Sequence, residues 1–92
     1  MFKKMEYVFN NQPYEVTVCR QEFGFIRISL YEVVRPHWRI FRTRHINTVY
    51  VLFDEEKHSS VGMLVDSEVR EMYDKECVYR REQEKISEFF EK

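Results

Sequence analysis

The sequence predicts an α+β fold: a four- or five-stranded antiparallel β-meander with one long C-terminal α-helix packed on one sheet face. Three observations predict it. Apolar and polar residues alternate with period two through residues 1–55. Apolar residues then recur at steps of four and three between residues 60 and 91. The runs in the first half are joined by connections too short for parallel crossovers. A chain of 92 residues with 43% apolar and 16% aromatic content is too hydrophobic for a disordered segment and forms a single domain, 1–92, with the sheet in 1–55 and the helical segment in 60–91.

The first two strands lie in "MEYVFNNQPYEVTVCR", around a turn at Asn10–Pro13, where residue types that favour turns cluster. In the second strand Tyr14, Val16 and Val18 alternate with Glu15, Thr17 and Cys19. "FGFIRISLYEV" carries the pattern on: Ile26, Ile28 and Leu30 point one way, and Phe25, Arg27, Ser29 and Tyr31 the other. Pro36 presets a tight turn in "VRPHW". Trp38 and Ile40 then face inward, with Arg39, Phe41 and Thr43 outward, and "NTVYVLF" supplies a further strand. From Ser60 onward there is no proline, and a helical stripe runs through Val65, Val69, Met72, Glu76, Tyr79, Gln83, Ile86 and Phe90. Ser59 or Ser60 is the expected N-cap. An alternative reading makes "VGMLV" a last strand, with Asp66 capping a shorter helix, because Gly62 and the β-branched residues disfavour helix there. A helix of about 30 residues spans about 45 Å and overhangs strands of about 27 Å, which would leave Ile86, Phe89 and Phe90 to meet a second protomer or to fray.

Several function classes lack their residues. There is no Gly-x-Ser-x-Gly, and neither cysteine sits in a nucleophile motif. Two glycines cannot build a phosphate-binding loop. His37 and His45 are eight residues apart and Cys19 and Cys77 fifty-eight apart, which is not the spacing of a zinc site. The expectation is a non-enzyme with no cofactor and no metal. Both cysteines are read as free thiols. No apolar run is long enough to cross a membrane and the first residues have no apolar leader, so a cytoplasmic, non-membrane protein is expected.

What remains is a surface. Net charge is −1, but residues 1–50 carry +4 and residues 51–92 carry −5. The segment "VVRPHWRIFRTRH" holds four arginines, two histidines, a Trp and a Phe without one acid. With the helix on the face of Tyr7, Phe9, Val16, Val18, Ile26, Ile28, Leu30, Trp38 and Ile40, the opposite face displays Val8, Thr17, Cys19, Phe25, Arg27, Tyr31, Arg39 and Phe41. Aromatics mixed with arginine are the composition of interface hot spots. Phe25, Arg27, Tyr31, Arg39 and Phe41 are therefore the expected partner-binding set, with Arg35, Arg42 and Arg44 as an electrostatic rim. Such a chain suits a small binding or regulatory protein of inhibitor or adaptor type, including one borne by a phage or other mobile element. Its expected partner is another protein, with a second copy of the chain as a further candidate. Single-stranded nucleic acid is the alternative occupant of the same face, since rings stack bases and guanidinium groups meet phosphates.

A local resemblance bears on that alternative. "FGFI", Phe23 to Ile26, resembles the core of the RNA-binding motif of cold-shock domains, and "VYVLF", Val49 to Phe53, is similar to their second aromatic motif. The resemblance implies base-stacking by Phe23 and Phe25, with Tyr50 and Phe53. It covers nine of the 92 residues, and Gln21 and Glu22 stand where that family carries a basic residue and a glycine.

Overall fold

The computed structural model describes residues 2–34 and 42–91. Four strands form one antiparallel sheet in the order β1 (Phe2–Phe9), β2 (Gln12–Arg20), β3 (Phe25–Val34) and β4 (Arg42–Leu52), and the helix α1 spans Val61–Glu91. The expected fold class holds, with four strands among the described residues. β4 takes in residues 42–52 as one strand, so Arg42 and Thr43, the described end of the run expected from Trp38, are continuous with the strand of "NTVYVLF". Trp38, Arg39, Ile40 and Phe41, and the turn at Pro36, lie outside the described residues.

Each connection follows from its residues. β1 and β2 are joined by Asn10 and Asn11, both at positive φ (51° and 64°). Two central left-handed residues make the turn whose twist matches that of the flanking strands, and asparagine tolerates that conformation better than other side chains. The turn is thus tighter than the expected Asn10–Pro13: Gln12 and Pro13 already belong to β2, with Pro13 opposite Val8. β2 and β3 are joined through Glu22–Gly24, where Phe23 (φ 59°) and Gly24 (φ 78°) reverse the chain and the Gln21 amide donates to the Phe25 carbonyl at 2.9 Å. Gly24 has the residue type this backbone wants, and Phe23 does not.

The helix begins at Val61, so "VGMLV" is helical. Ser60 Oγ accepts from the Met63 amide at 3.1 Å, the reach of an N-cap onto the third residue of the helix. The helix carries its apolar face onto the sheet through Leu64, Val65, Val69 and Met72, all buried. Val65, Val69 and Met72 meet Tyr14 and Val16 of β2 and Ile28 and Leu30 of β3, which are also buried, with Val49 and Val51 of β4 half-buried beside them. Tyr73 closes the corner nearest the first turn. It stacks on Phe9 with ring centroids 4.3 Å apart, and its hydroxyl accepts from Asn10 Nδ2 at 2.6 Å. Leu64 and Tyr73 lie beside the predicted stripe and widen it, as a helix laid on a broad sheet needs more than a narrow seam.

β4 pairs with β3 in two registers. Leu30 faces Asn47 but Tyr31 faces His45, so Ile46 is one residue extra. This bulge shifts the alternation: Val49 and Val51 face the helix above it, and Arg44 faces the helix side below it. There Arg44 meets Glu32 at 3.0 Å, and Arg80 of α1 meets the other oxygen of the same carboxylate, also at 3.0 Å. Tyr14 donates to that carboxylate at 3.4 Å. Glu32 therefore ties β2, β4 and α1 together at one point.

Candidate interaction surface

The face of the sheet turned away from α1 is built by the strand registers alone. Successive rows cross all four strands. Phe2, Cys19, Arg27 and Tyr50 form one, Lys4, Thr17, Ser29 and Thr48 the next, and Glu6, Glu15, Tyr31 and His45 the third. Phe25 and Leu52 add a pair beyond the first row.

The first row and the pair beyond it are the unusual part. Phe2 is 61% exposed, Tyr50 59% and Leu52 53%, with Phe25 also exposed. A solvated sheet face is normally mostly polar. Arg27 stands among them, and its guanidinium donates to Cys19 Sγ at 3.1 Å. That contact and a weaker one to Tyr50 raise the already high Arg27 pKa further, so the side chain is a fixed cation. The aromatic end continues over the strand ends. Phe23, held out by its left-handed backbone, is 91% exposed. An open apolar cavity of about 370 Å³ lies between Phe2, Val18, Gly24, Phe25, Ile26 and Val61, with Lys3 and Arg20 also lining it.

The middle rows are polar. Thr48 Oγ1 lies 2.9 Å from Ser29 Oγ and 2.7 Å from His45 Nε2, a chain of hydroxyls ending on an imidazole. Ser29 is buried at its inner end. Tyr31 packs against the His45 ring, with centroids 5.3 Å apart. Lys4 is ion-paired to Glu15. Among the described residues no group of three His, Cys, Asp or Glu converges as metal ligands would.

Of the residues expected to bind a partner, Phe25, Arg27 and Tyr31 all lie on this open face, as alternation requires. Phe25 and Arg27 belong to the aromatic end, whereas Tyr31 sits two rows away among polar neighbours. Arg39, Phe41 and the rim residue Arg35 lie outside the described residues. Of the other rim residues, Arg42 is exposed opposite Val34, and Arg44 is engaged by Glu32 on the helix side. Both cysteines are free, with Cys19 half-buried on the open face. The partner-binding set read from the sequence omits Phe2, Tyr50 and Leu52, and of these Tyr50 alone is named by the cold-shock resemblance. The alternation of Thr48, Tyr50 and Leu52 against Val49 and Val51 is the signal that locates two of them. Phe2 is found only through its register with Cys19. Of the residues in the cold-shock-like segments, Phe23, Phe25 and Tyr50 gather at the aromatic end, but Phe53 turns aside toward His58, with ring centroids 6.2 Å apart.

The chain matches no protein-family profile, no curated protein and no solved structure.

Proposed function

We propose that the protein is a non-enzymatic binding module that engages another protein through the aromatic end of its open sheet face. The observation that carries this reading is the exposure of Phe2, Phe25, Tyr50 and Leu52 around the fixed cation Arg27. Large rings surrounding an arginine supply apolar area, and the arginine supplies directional donors to a carboxylate, which together make an anchor point for a partner. The partner this chemistry fits presents an apolar or aromatic side chain with an acidic one beside it. An inhibitor or adaptor works in this way, by occupancy rather than by chemistry.

Single-stranded nucleic acid is the second reading, supported by the same rings at Phe23, Phe25 and Tyr50. The neighbouring rows weigh against it. Glu6 and Glu15 sit on the same face, and Lys4 is held by Glu15, so a phosphate backbone would cross carboxylates within two rows of Arg27.

The test is a capture experiment from the native host with the full chain and with Phe25→Ala, Arg27→Ala and Tyr50→Ala, each first checked for an unchanged melting temperature. A protein partner retained by the parent and lost by all three supports the reading. Retention by all three would place the interface elsewhere. Capture of nucleic acid whose affinity falls steeply with salt would favour the second reading.

A further inference from the structure

We infer that the last fourteen residues of α1 form a homodimerisation arm, in which two copies pair their helices antiparallel. From Val78 to Glu91 every residue is exposed, whereas the same helix buries Leu64, Val65, Val69 and Met72. Among the described residues the arm meets its own sheet through the Arg80–Glu32 ion pair at its start, and it buries none of its side chains there. It is nevertheless apolar on one side: Tyr79 is 56% exposed, Ile86 49%, Phe89 74% and Phe90 78%. A helix of that length without a packed face is marginal in water, so a partner surface for these residues stabilises the arm itself.

The spacing identifies the occupant as another helix. Val65, Val69, Met72, Glu76, Tyr79, Gln83, Ile86 and Phe90 alternate steps of four and three, the 3.5-residue repeat of a helix–helix seam. The first part of this seam lies on the chain's own sheet, and the second part continues it into solvent. A second copy completes it in one orientation. In an antiparallel pair, Tyr79 of one arm layers on Phe90 of the other and Gln83 on Ile86, and each layer recurs by symmetry. One two-fold axis between Glu84 and Lys85 generates all four layers. The two Gln83–Ile86 layers lie next to the axis, where a polar residue in the seam favours one register over its neighbours. A parallel pair is excluded sterically, because each chain's sheet occupies the same seam positions at Val65, Val69 and Met72 and the two sheets would overlap.

Charge favours the same arrangement. On one flank the antiparallel register brings Glu82 near Lys85 of the other arm, a contact that the symmetry makes twice, while Arg80 stays with Glu32 and Glu76 of its own chain. The area is sufficient but not large. Three aromatic rings and an isoleucine per arm bury on the order of 1,000 Å² in total, at the lower bound for a specific interface. The dimer is therefore concentration-dependent, and it leaves the open sheet face free.

The test is sedimentation equilibrium of the full chain over a concentration series, with reductant present so that Cys77 cannot crosslink. A reversible monomer–dimer equilibrium is expected. Ile86→Asp should weaken it by about tenfold or more, and Gln83→Leu, which removes the polar layer without threatening the fold, should tighten it by about tenfold. Spin labels fix the orientation: labels at Glu84 should lie close to their symmetry mates, and labels at Glu91 about 20 Å further apart along the axis. A monomer at every concentration, a dimer indifferent to both substitutions, or equal separations at the two label sites would each overturn the inference.

Discussion

Ile28 is fully buried between β2, β4 and the helix, and no neighbour can collapse into its place without moving a strand. Ile28→Ala should cost about 2–4 kcal/mol, read from the midpoint of urea unfolding. The Asn10–Asn11 turn is a second point where one residue decides local stability. Asn11 sits at φ 64°, so Asn11→Ala should cost about 1 kcal/mol, and Asn11→Gly should recover that loss because glycine takes the left-handed conformation without a Cβ clash. Tyr7 and Tyr14 make stability depend on alkaline pH. Burial, with Asp66 beside Tyr7 and Glu32 beside Tyr14, holds both phenols above the ordinary value of 10.0. Above pH 10 the unfolded chain releases these protons before the folded chain does. Their contribution is therefore fully present below pH 10 and is lost as pH rises through the folded-state values. Thermal melts at rising pH should show a decline starting near pH 10, and Tyr14→Phe should make it shallower.

At the scale of the elements, α1 is held at two places. Its first turn is capped by Ser60, and its middle is fastened by the apolar contacts of Val65, Val69 and Met72 and by the Glu32–Arg80 pair. Ser60→Ala leaves the Met63 amide without its acceptor and should cost about 1 kcal/mol, measured by urea unfolding, with Ser60→Gly costing less. The i,i+4 pairs Asp66–Arg70, Glu71–Lys75 and Glu76–Arg80 are exposed or partly so and add only a few tenths of a kcal/mol each. The sheet's key irregularity is the Ile46 bulge. It lets Val49 and Val51 serve the core while Arg44 reaches Glu32, two tasks that an unbroken alternation in β4 could not combine.

At the scale of the whole molecule, the sheet has one face committed to folding and one uncommitted, and the two respond differently to substitution. Phe25→Ala, Arg27→Ala and Tyr50→Ala remove groups that touch solvent, and each should change stability by no more than about 0.5 kcal/mol. On the proposed function the same three substitutions abolish partner capture, and the affinity of the parent protein depends only mildly on salt, because rings rather than counterion release supply it. A titration of binding against ionic strength, run alongside the melts, checks both halves of this expectation. The distribution of charge fits the same division. Much of the acid of the second half lies on α1, on the opposite side of the sheet from Arg27.

Much of this was legible in the chain. Period two in "YEVTVCR" and "FIRISLY" is a property of neighbouring residues, so it determined the two faces of β2 and β3, the core at Val16, Ile28 and Leu30, and the outward side chains of Phe25, Arg27 and Tyr31. Steps of four and three likewise marked the helix to its end, and Ser60 its start. What depends on pairing between distant residues was decided only in three dimensions. Whether "VGMLV" was strand or helix turned on Leu64 and Val65 reaching the core, since local propensity was nearly balanced. The bulge at Ile46 is a mismatch between two strands and leaves no mark in either one, so the engagement of Arg44 by Glu32 could not be read from alternation. The aromatic end joins Phe2, Phe25 and Tyr50 from three strands, because register sets neighbours across a sheet that sequence order keeps apart.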